Sequence, residues 1–207
     1  MRSILRHGRV LLSFTQWLVN IGLIRSARMP STSRRKNPLP APRLSLQGIL
    51  RRVRLFATDV DGVLTDAGMY YSESGDEWKK FNTRDGMGIK LLQRAGILTA
   101  IITQESTKIV MRRAQKLTIP EVHQGVFDKL AVLKDLIARH NLTLEQVAYI
   151  GDDVNDVQAL GAVGFSAAPA DGMPPVLKTV RYVCKQKGGE GAVREVADLI
   201  LAAQQPR

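Results

Sequence analysis

The chain has one cysteine, Cys184, so it cannot form an internal disulfide. A lone cysteine of this kind fits a reducing compartment, and cytoplasm is the expected location. No acidic residue precedes Asp59. Twelve of the 30 lysines and arginines fall before that point, leaving 18 basic against 19 acidic residues from Asp59 onward. The net charge of +11 therefore belongs to the N-terminal stretch, and a nucleic-acid-binding face on the folded part is not expected. Long apolar runs are missing too. Val10–Ile24 is interrupted by Ser13, Thr15, Gln16, Asn20 and Gly22, too short and too polar for a stable membrane span. The run Ile24-Arg25-Ser26-Ala27-Arg28 is a poor signal-peptide cleavage site. There is no Walker lysine motif. Asp85-Gly86-Met87-Gly88 carries Leu91 where a dinucleotide-binding loop needs its third glycine. His7, His123 and His140 lack partners at metal-ligand spacing.

Residues 1–50 read as a basic extension, with Pro30–Pro42 a Ser/Arg/Pro-rich linker. Three readings fit it: a targeting or surface-binding leader, a disordered tail, or a start codon placed too early, with Met29 or a later point as the true beginning. The last two, both non-catalytic, are preferred.

From residue 51 short apolar runs alternate with amphipathic stretches, the pattern of a parallel α/β sheet flanked by helices. Strands are expected at Val53–Thr58, Ile97–Thr103, Val147–Ile150, Gly164–Ala168 and Tyr182–Lys185. Helices are expected at Asp85–Ala95, from a Ser106 cap to Leu117, and at Asp128–His140, Asn155–Val163 and Gly191–Ala203. Residues 68–82 read as an inserted β-hairpin with a polar turn at Ser72–Asp76.

The chemistry concentrates at strand ends. Leu55-Phe-Ala-Thr runs into Asp59-Val60-Asp61-Gly62, and Val147-Ala-Tyr-Ile runs into Gly151-Asp152-Asp153-Val154-Asn155-Asp156. Carboxylates are costly at the end of a buried strand unless a cation compensates them. In an open α/β sheet the carboxyl edge holds the ligand crevice, so both clusters are expected to face one site. Asp59-Val-Asp61-Gly lacks the third chelating residue and the spaced glutamate of an EF-hand loop. Two acids one residue apart in a turn can address the same phosphoryl group, one as nucleophile and one as acid–base. Gly62 permits the tight turn.

The stretch Asp59–Asp66 resembles the first motif of the haloacid dehalogenase (HAD) phosphohydrolases. The resemblance runs from about Leu55 to Ile200 and implies a Rossmann-like fold. Within that superfamily the chain looks like the small-cap group of 3-deoxy-D-manno-octulosonate (KDO) 8-phosphate phosphatases and their sialic-acid-pathway relatives. The similarity rests on Asp-Val-Asp-Gly-Val-Leu-Thr-Asp, Glu-Trp-Lys-Lys-Phe-Asn-Thr-Arg-Asp-Gly, Gly-Asp-Asp-Val-Asn-Asp and Lys-Gly-Gly-Glu-Gly-Ala-Val-Arg-Glu.

By resemblance, Asp59 is the nucleophile that forms an aspartyl-phosphate, and Asp61 is the general acid/base. Thr103 donates to a phosphoryl oxygen, and Lys129 neutralises charge and holds the nucleophile. One Mg²⁺ would be held by Asp59, the backbone carbonyl of Asp61, and Asp152. Asp153 or Asp156 would orient waters, and Asn155 either does so or caps a helix. Substrate contacts map onto Asn82, Thr83, Arg84, Asp85, Gly86, Lys90, Arg113 and Lys129, with Asp61. One departure matters: KDO-8-phosphate phosphatases usually read Thr-Gly-Arg where this chain reads Thr103-Gln104-Glu105. Nonulosonate 9-phosphate enzymes carry a glutamate there and a lysine in the next helix, a place Lys116 fills. Eight- and nine-carbon sugar-acid phosphates both stay open as substrates. The resemblance also implies a homotetramer in which the hairpin takes part and a neighbouring subunit completes the site. Two other readings are a catalytically silent tetramerising or regulatory module of sugar-nucleotide synthesis, and a basic-tail protein binding nucleic acid or membrane.

Overall fold

The computed structural model describes residues 44–205. The leader, tail and linker readings of residues 1–43 lie outside the described residues.

Among the described residues, eight strands and seven α-helices follow in chain order: α1 (Leu46–Leu50), β1 (Leu55–Thr58), β2 (Tyr70–Tyr71), β3 (Glu77–Trp78), α2 (Thr83–Arg94), β4 (Leu98–Ile102), α3 (Lys108–Leu117), β5 (Glu121–His123), α4 (Lys129–Arg139), β6 (Val147–Ile150), α5 (Val157–Ala162), β7 (Phe165–Ala168), α6 (Pro174–Thr179), β8 (Tyr182–Val183) and α7 (Ala192–Gln204). Six strands form one sheet in the order β5-β4-β1-β6-β7-β8, every pair parallel. β2 and β3 form a separate antiparallel hairpin.

The period-two alternation of the strands decides which layer each side chain joins. Phe56, Ile101, Ala148, Ile150 and Phe165 enter one core with Ile89 and Leu92 of α2, Val110 of α3, and Val193, Val196 and Ile200 of α7. Leu55, Ala57, Ala100, Ile102, Val147 and Tyr149 enter the other, against Leu133 and Leu136 of α4, Leu160 of α5 and Val176 of α6. Each fully buried Leu, Ile or Phe contributes roughly 1.5–3 kcal/mol. With both faces covered, the strands read as continuous apolar runs, and polar groups are pushed to their ends.

Several expected bounds move. Residues 44–50, assigned to the extension, contain α1, capped by Ser45. This helix is bound to α7: Arg51 Nε donates to Ala203 O at 3.0 Å and Gln204 Nε2 donates to Leu50 O and Val53 O at 3.2 and 2.9 Å. The cap of α3 is Thr107 rather than Ser106, its hydroxyl accepting from Val110 N at 3.3 Å. Asn82 starts α2 two residues earlier than its apolar periodicity suggests. The stretch read as one helix from Asn155 is a 3₁₀ turn, Val154–Asp156, followed by α5. β5 and α6 were not foreseen, because neither has an apolar run long enough to reveal its period.

Candidate active site

β1, β4 and β6 end side by side in the middle of the sheet, and the next residues of each chain segment carry the charge. The crevice they form has a volume of about 300 Å³ and is lined by Asp59, Asp61, Thr103, Glu105 and Asp152, with Ala67, Gln104, Asp153 and Asn155. Two acidic segments almost a hundred residues apart thus converge, together with the terminus of the strand between Leu98 and Ile102.

Asp59 is held from three directions. Its N–H donates to Ile150 O at 3.0 Å, continuing the β1–β6 ladder beyond the strand. Its Oδ1 accepts from Val60 N at 2.7 Å, and its Oδ2 accepts from Lys129 Nζ at 2.6 Å. Lys129 opens α4 directly after its cap Asp128, and its side chain has 0% exposure. The same ammonium reaches Asp156 Oδ1 at 2.7 Å. Asp156 also accepts from the Tyr149 hydroxyl at 2.6 Å and from the N–H groups of Asp152 and Asp153 at 3.0 and 3.3 Å. Both its oxygens are committed, which suits a supporting role under the crevice floor.

One cation stands among three buried or half-buried carboxylates, and this is visible in the proton affinities of Asp152 and Asp59. Burial, then the charges of Asp59 and Asp156, push Asp152 up to about 8. Burial, then the charge of Asp156, also raises Asp59, against the opposing pull of Lys129. Asp152 Oδ1 is buried without a hydrogen-bond partner. One oxygen from each of Asp59, Asp152 and Asp156 lies within 4.8 Å of the others. Hard oxygen donors, an orphaned carboxylate oxygen and a deficit of positive charge fit a magnesium ion. Gly62 is required beside it: its φ is +78°, and a Cβ there would stand 2.0 Å from Asp152 Oδ2.

Behind this loop lies a backbone brace. Gly189 N donates to Val63 O at 3.0 Å, and Asn82 Nδ2 donates to Gly189 O at 3.1 Å. A Cβ on Gly188 would sit 1.9 Å from Gly62 O. Gly188 and Gly189 are thus glycines because two backbones touch.

Asp61 faces the hairpin. Lys79 Nζ donates to its Oδ1 and Oδ2 at 2.7 and 2.8 Å, and to Glu105 Oε2 at 2.6 Å. Lys79 went unrecognised in the sequence. Nothing in Trp78-Lys79-Lys80-Phe81 separates the first lysine, with 0% side-chain exposure, from the second, which is 55% exposed beside Asp66. Tyr149 was likewise hidden inside an apolar strand.

Asp59, Asp61, Thr103, Glu105 and Asp152 line one crevice, and Lys129 reaches it through Asp59. The other expected substrate contacts stand outside the crevice of their own chain. Asp85 is fully buried and caps α7, its Oδ1 accepting from Arg194 N at 2.9 Å, so its carboxylate faces a helix rather than a ligand. Gly86 lies against Arg113, whose Nη2 donates to Asn82 O at 2.8 Å and whose guanidinium lies 5.3 Å from the Phe81 ring centre. Lys90 donates to Thr118 Oγ1 at 2.7 Å. Thr83 and Lys116 are exposed. Arg84 lines a separate groove of about 560 Å³ beside Arg194 and Lys185. His123 and His140 both point at Glu121, away from the acidic cluster.

Fold and site together define a haloacid dehalogenase-like hydrolase, and residues 97–196 match the sequence pattern of that family. The 3-deoxy-D-manno-octulosonate 8-phosphate phosphatase of Yersinia pestis is 47% identical over 152 residues, 73% of this chain and 81% of the relative. The Escherichia coli K12 enzyme of the same name is 43% identical over the same shares. The Moraxella catarrhalis phosphatase, solved with magnesium, phosphate and KDO, superposes with a TM-score of 0.75 at 40% identity, over 76% of this chain and 91% of that one. The chain belongs to the 3-deoxy-D-manno-octulosonate 8-phosphate phosphatase family of haloacid dehalogenase-like hydrolases.

Proposed function

We propose that the protein is a Mg²⁺-dependent phosphoric monoester hydrolase that removes the terminal phosphate of KDO 8-phosphate. The observation that carries this is the convergence of Asp59, Asp61 and Asp152 on one crevice, with the buried Lys129 bound to Asp59.

An oxygen of Asp59 attacks phosphorus, and the bond from phosphorus to the sugar oxygen breaks. Asp61 gives its proton to that departing oxygen, so an alcohol leaves rather than an alkoxide. The product on the enzyme is an aspartyl-phosphate at Asp59. Asp61, now a carboxylate, takes a proton from water as the water oxygen attacks phosphorus. Inorganic phosphate leaves and Asp59 is restored. Lys129 offsets negative charge beside the reacting group throughout, and Thr103 donates its hydroxyl to a phosphoryl oxygen. Asp59, Asp152 and the Asp61 carbonyl would hold the magnesium ion, which supplies charge stabilisation to the phosphoryl oxygens when bound.

A nine-carbon sugar-acid 9-phosphate is the second reading. Glu105 favours it, because a carboxylate stands at the crevice rim where the eight-carbon enzymes usually place a cation. The enzyme acts as a homotetramer. The exposed Tyr70, Tyr71 and Trp78 of the hairpin offer an apolar contact surface. A neighbouring copy completes the open crevice, which accounts for Arg84, Lys90, Arg113 and Lys116 standing outside their own chain's site. Among the described residues no helix is long and apolar enough to cross a membrane. The single buried thiol supports a cytoplasmic location.

The test is Asp59→Asn with Mg²⁺ and KDO 8-phosphate. Phosphate release should fall on the order of 10³-fold or more, as for loss of a nucleophile. Undiminished release rules the mechanism out. Running nonulosonate 9-phosphates beside KDO 8-phosphate on the wild type separates the two substrate readings by kcat/KM.

A further inference from the structure

We infer that Lys79 is a positioning residue for the acid–base step, fixing the Asp61 carboxyl in the orientation from which it hands its proton to the departing oxygen. This rests on the assignment of Asp61 as the acid–base group.

Asp61 needs such help. It sits in the turn after β1 with its side chain 25% exposed, so burial alone does not select one rotamer. Its nearest hydroxyl, Thr65 Oγ1, is 3.4 Å from Oδ1, too far to hold it firmly. Lys79 supplies what is missing. Its ammonium bridges both carboxylate oxygens at 2.7 and 2.8 Å, which fixes the plane of the carboxyl as well as its position. A single contact would leave the group free to rotate about it.

The lysine is itself held. Its side chain has 0% exposure, so the ammonium cannot turn to water without breaking the packing around it. Glu105 Oε2 takes another of its N–H groups at 2.6 Å, and Glu77 Oε1 stands at 3.8 Å. A buried cation drawn by carboxylates on several sides is costly to create and therefore fixed once formed. Lys79 directly follows β3, so the hairpin delivers this grip to a loop on the central strand. The insertion thus reaches the chemistry as well as the surface.

In the first half-reaction the bond from phosphorus to the sugar oxygen breaks as the bond to Asp59 forms. The proton moves from the Asp61 carboxyl to the sugar oxygen, leaving Asp61 as the carboxylate that Lys79 pairs. Lys79 acts through Asp61 and not on phosphorus or the sugar oxygen. Its contribution matters in proportion to how much the leaving oxygen needs that proton. An alkyl phosphate needs it, whereas 4-nitrophenyl phosphate departs as a stabilised phenolate without it.

The experiment compares kcat/KM for KDO 8-phosphate and 4-nitrophenyl phosphate in the Mg²⁺-loaded wild type and in Asp61→Ala, Lys79→Met and Lys79→Arg. The alkyl-to-aryl ratio should fall about 10²-fold in Asp61→Ala, within the range for removing a general acid. It should fall at least about tenfold in Lys79→Met, part of that same general-acid contribution. Lys79→Arg, which keeps a cation beside both oxygens, should restore most of the ratio. Far-UV circular dichroism and the melting temperature check that each variant is folded. If Lys79→Met lowers both substrates by one factor, or neither, the positioning role is overturned. If Asp61→Ala itself leaves the ratio unchanged, the acid–base assignment falls, and the inference about Lys79 falls with it.

Discussion

Removing divalent cations should make this fold pH-sensitive, and the sign follows from the carboxylate cluster. Asp152 is raised from 3.8 to about 8 and Asp59 is raised too, first by burial and then by neighbouring negative charge. A carboxyl whose proton affinity is higher in the folded state favours folding while protonated. In metal-free protein that contribution is complete below the ordinary carboxylate range and is lost as pH rises toward about 8. Mg²⁺ reverses the trend, because the ion takes the place of the protons. If one proton is displaced, the apparent dissociation constant should rise about tenfold for each pH unit below 8. With Mg²⁺ at about 100 times that constant, linkage gives about 2.7 kcal/mol. For a chain of this size that is a rise in melting temperature of roughly 5–11 °C. Differential scanning calorimetry in EDTA and in a fixed Mg²⁺ concentration, from about pH 6 to about pH 8.5, reads the effect. The Mg²⁺ increment should grow with pH. Asp152→Asn should melt above the wild type in EDTA at about pH 8, since a like charge has gone, and gain little from Mg²⁺. An increment independent of pH, or one that Asp152→Asn retains in full, would refute the reasoning.

Three further outcomes are expected. Lys129→Met leaves Asp59 and Asp156 buried without their cation, and urea unfolding should show a loss of about 3–5 kcal/mol; a loss below about 1 kcal/mol would mean the pair is not held as described. Gly188→Ala places a Cβ 1.9 Å from Gly62 O. The loop bearing Asp59 and Asp61 must move, and turnover should drop about 10²-fold even though the substitution lies outside the crevice. If the proposed tetramer forms through the exposed hairpin face, Trp78→Ser should shift it toward smaller species in analytical ultracentrifugation, and an unchanged sedimentation profile would exclude that face as the contact.

The sheet was legible because its strands are buried on both faces. Leu55–Thr58 and Val147–Ile150 are apolar without interruption, and an acid straight after such a run can only lie at an edge. The meeting of Asp59 with Asp152 follows from that pattern and from the strand-order rule for open sheets. What stayed hidden depends on neighbours distant in sequence. Tyr149 reads as one more strand residue until its hydroxyl is seen at Asp156. Lys79 and Lys80 follow the same two-residue strand, and only the fold separates the buried one from the exposed one. Asp85 was placed at the substrate by resemblance alone, and its partner, the backbone N–H of Arg194, lies over a hundred residues on. Short elements such as Glu121–His123 carry too few residues to show a period at all.

Lys129 joins the end of the first strand to the segment after Ile150 through a single nitrogen. In the proposed mechanism mortar and reagent are the same atom. Selection for heat resistance therefore has little freedom here, since any exchange that relieves the cost of an interred charge also takes away the cation that pairs Asp59. Hardier variants of this protein should accumulate their changes in the helical layers and leave this junction untouched.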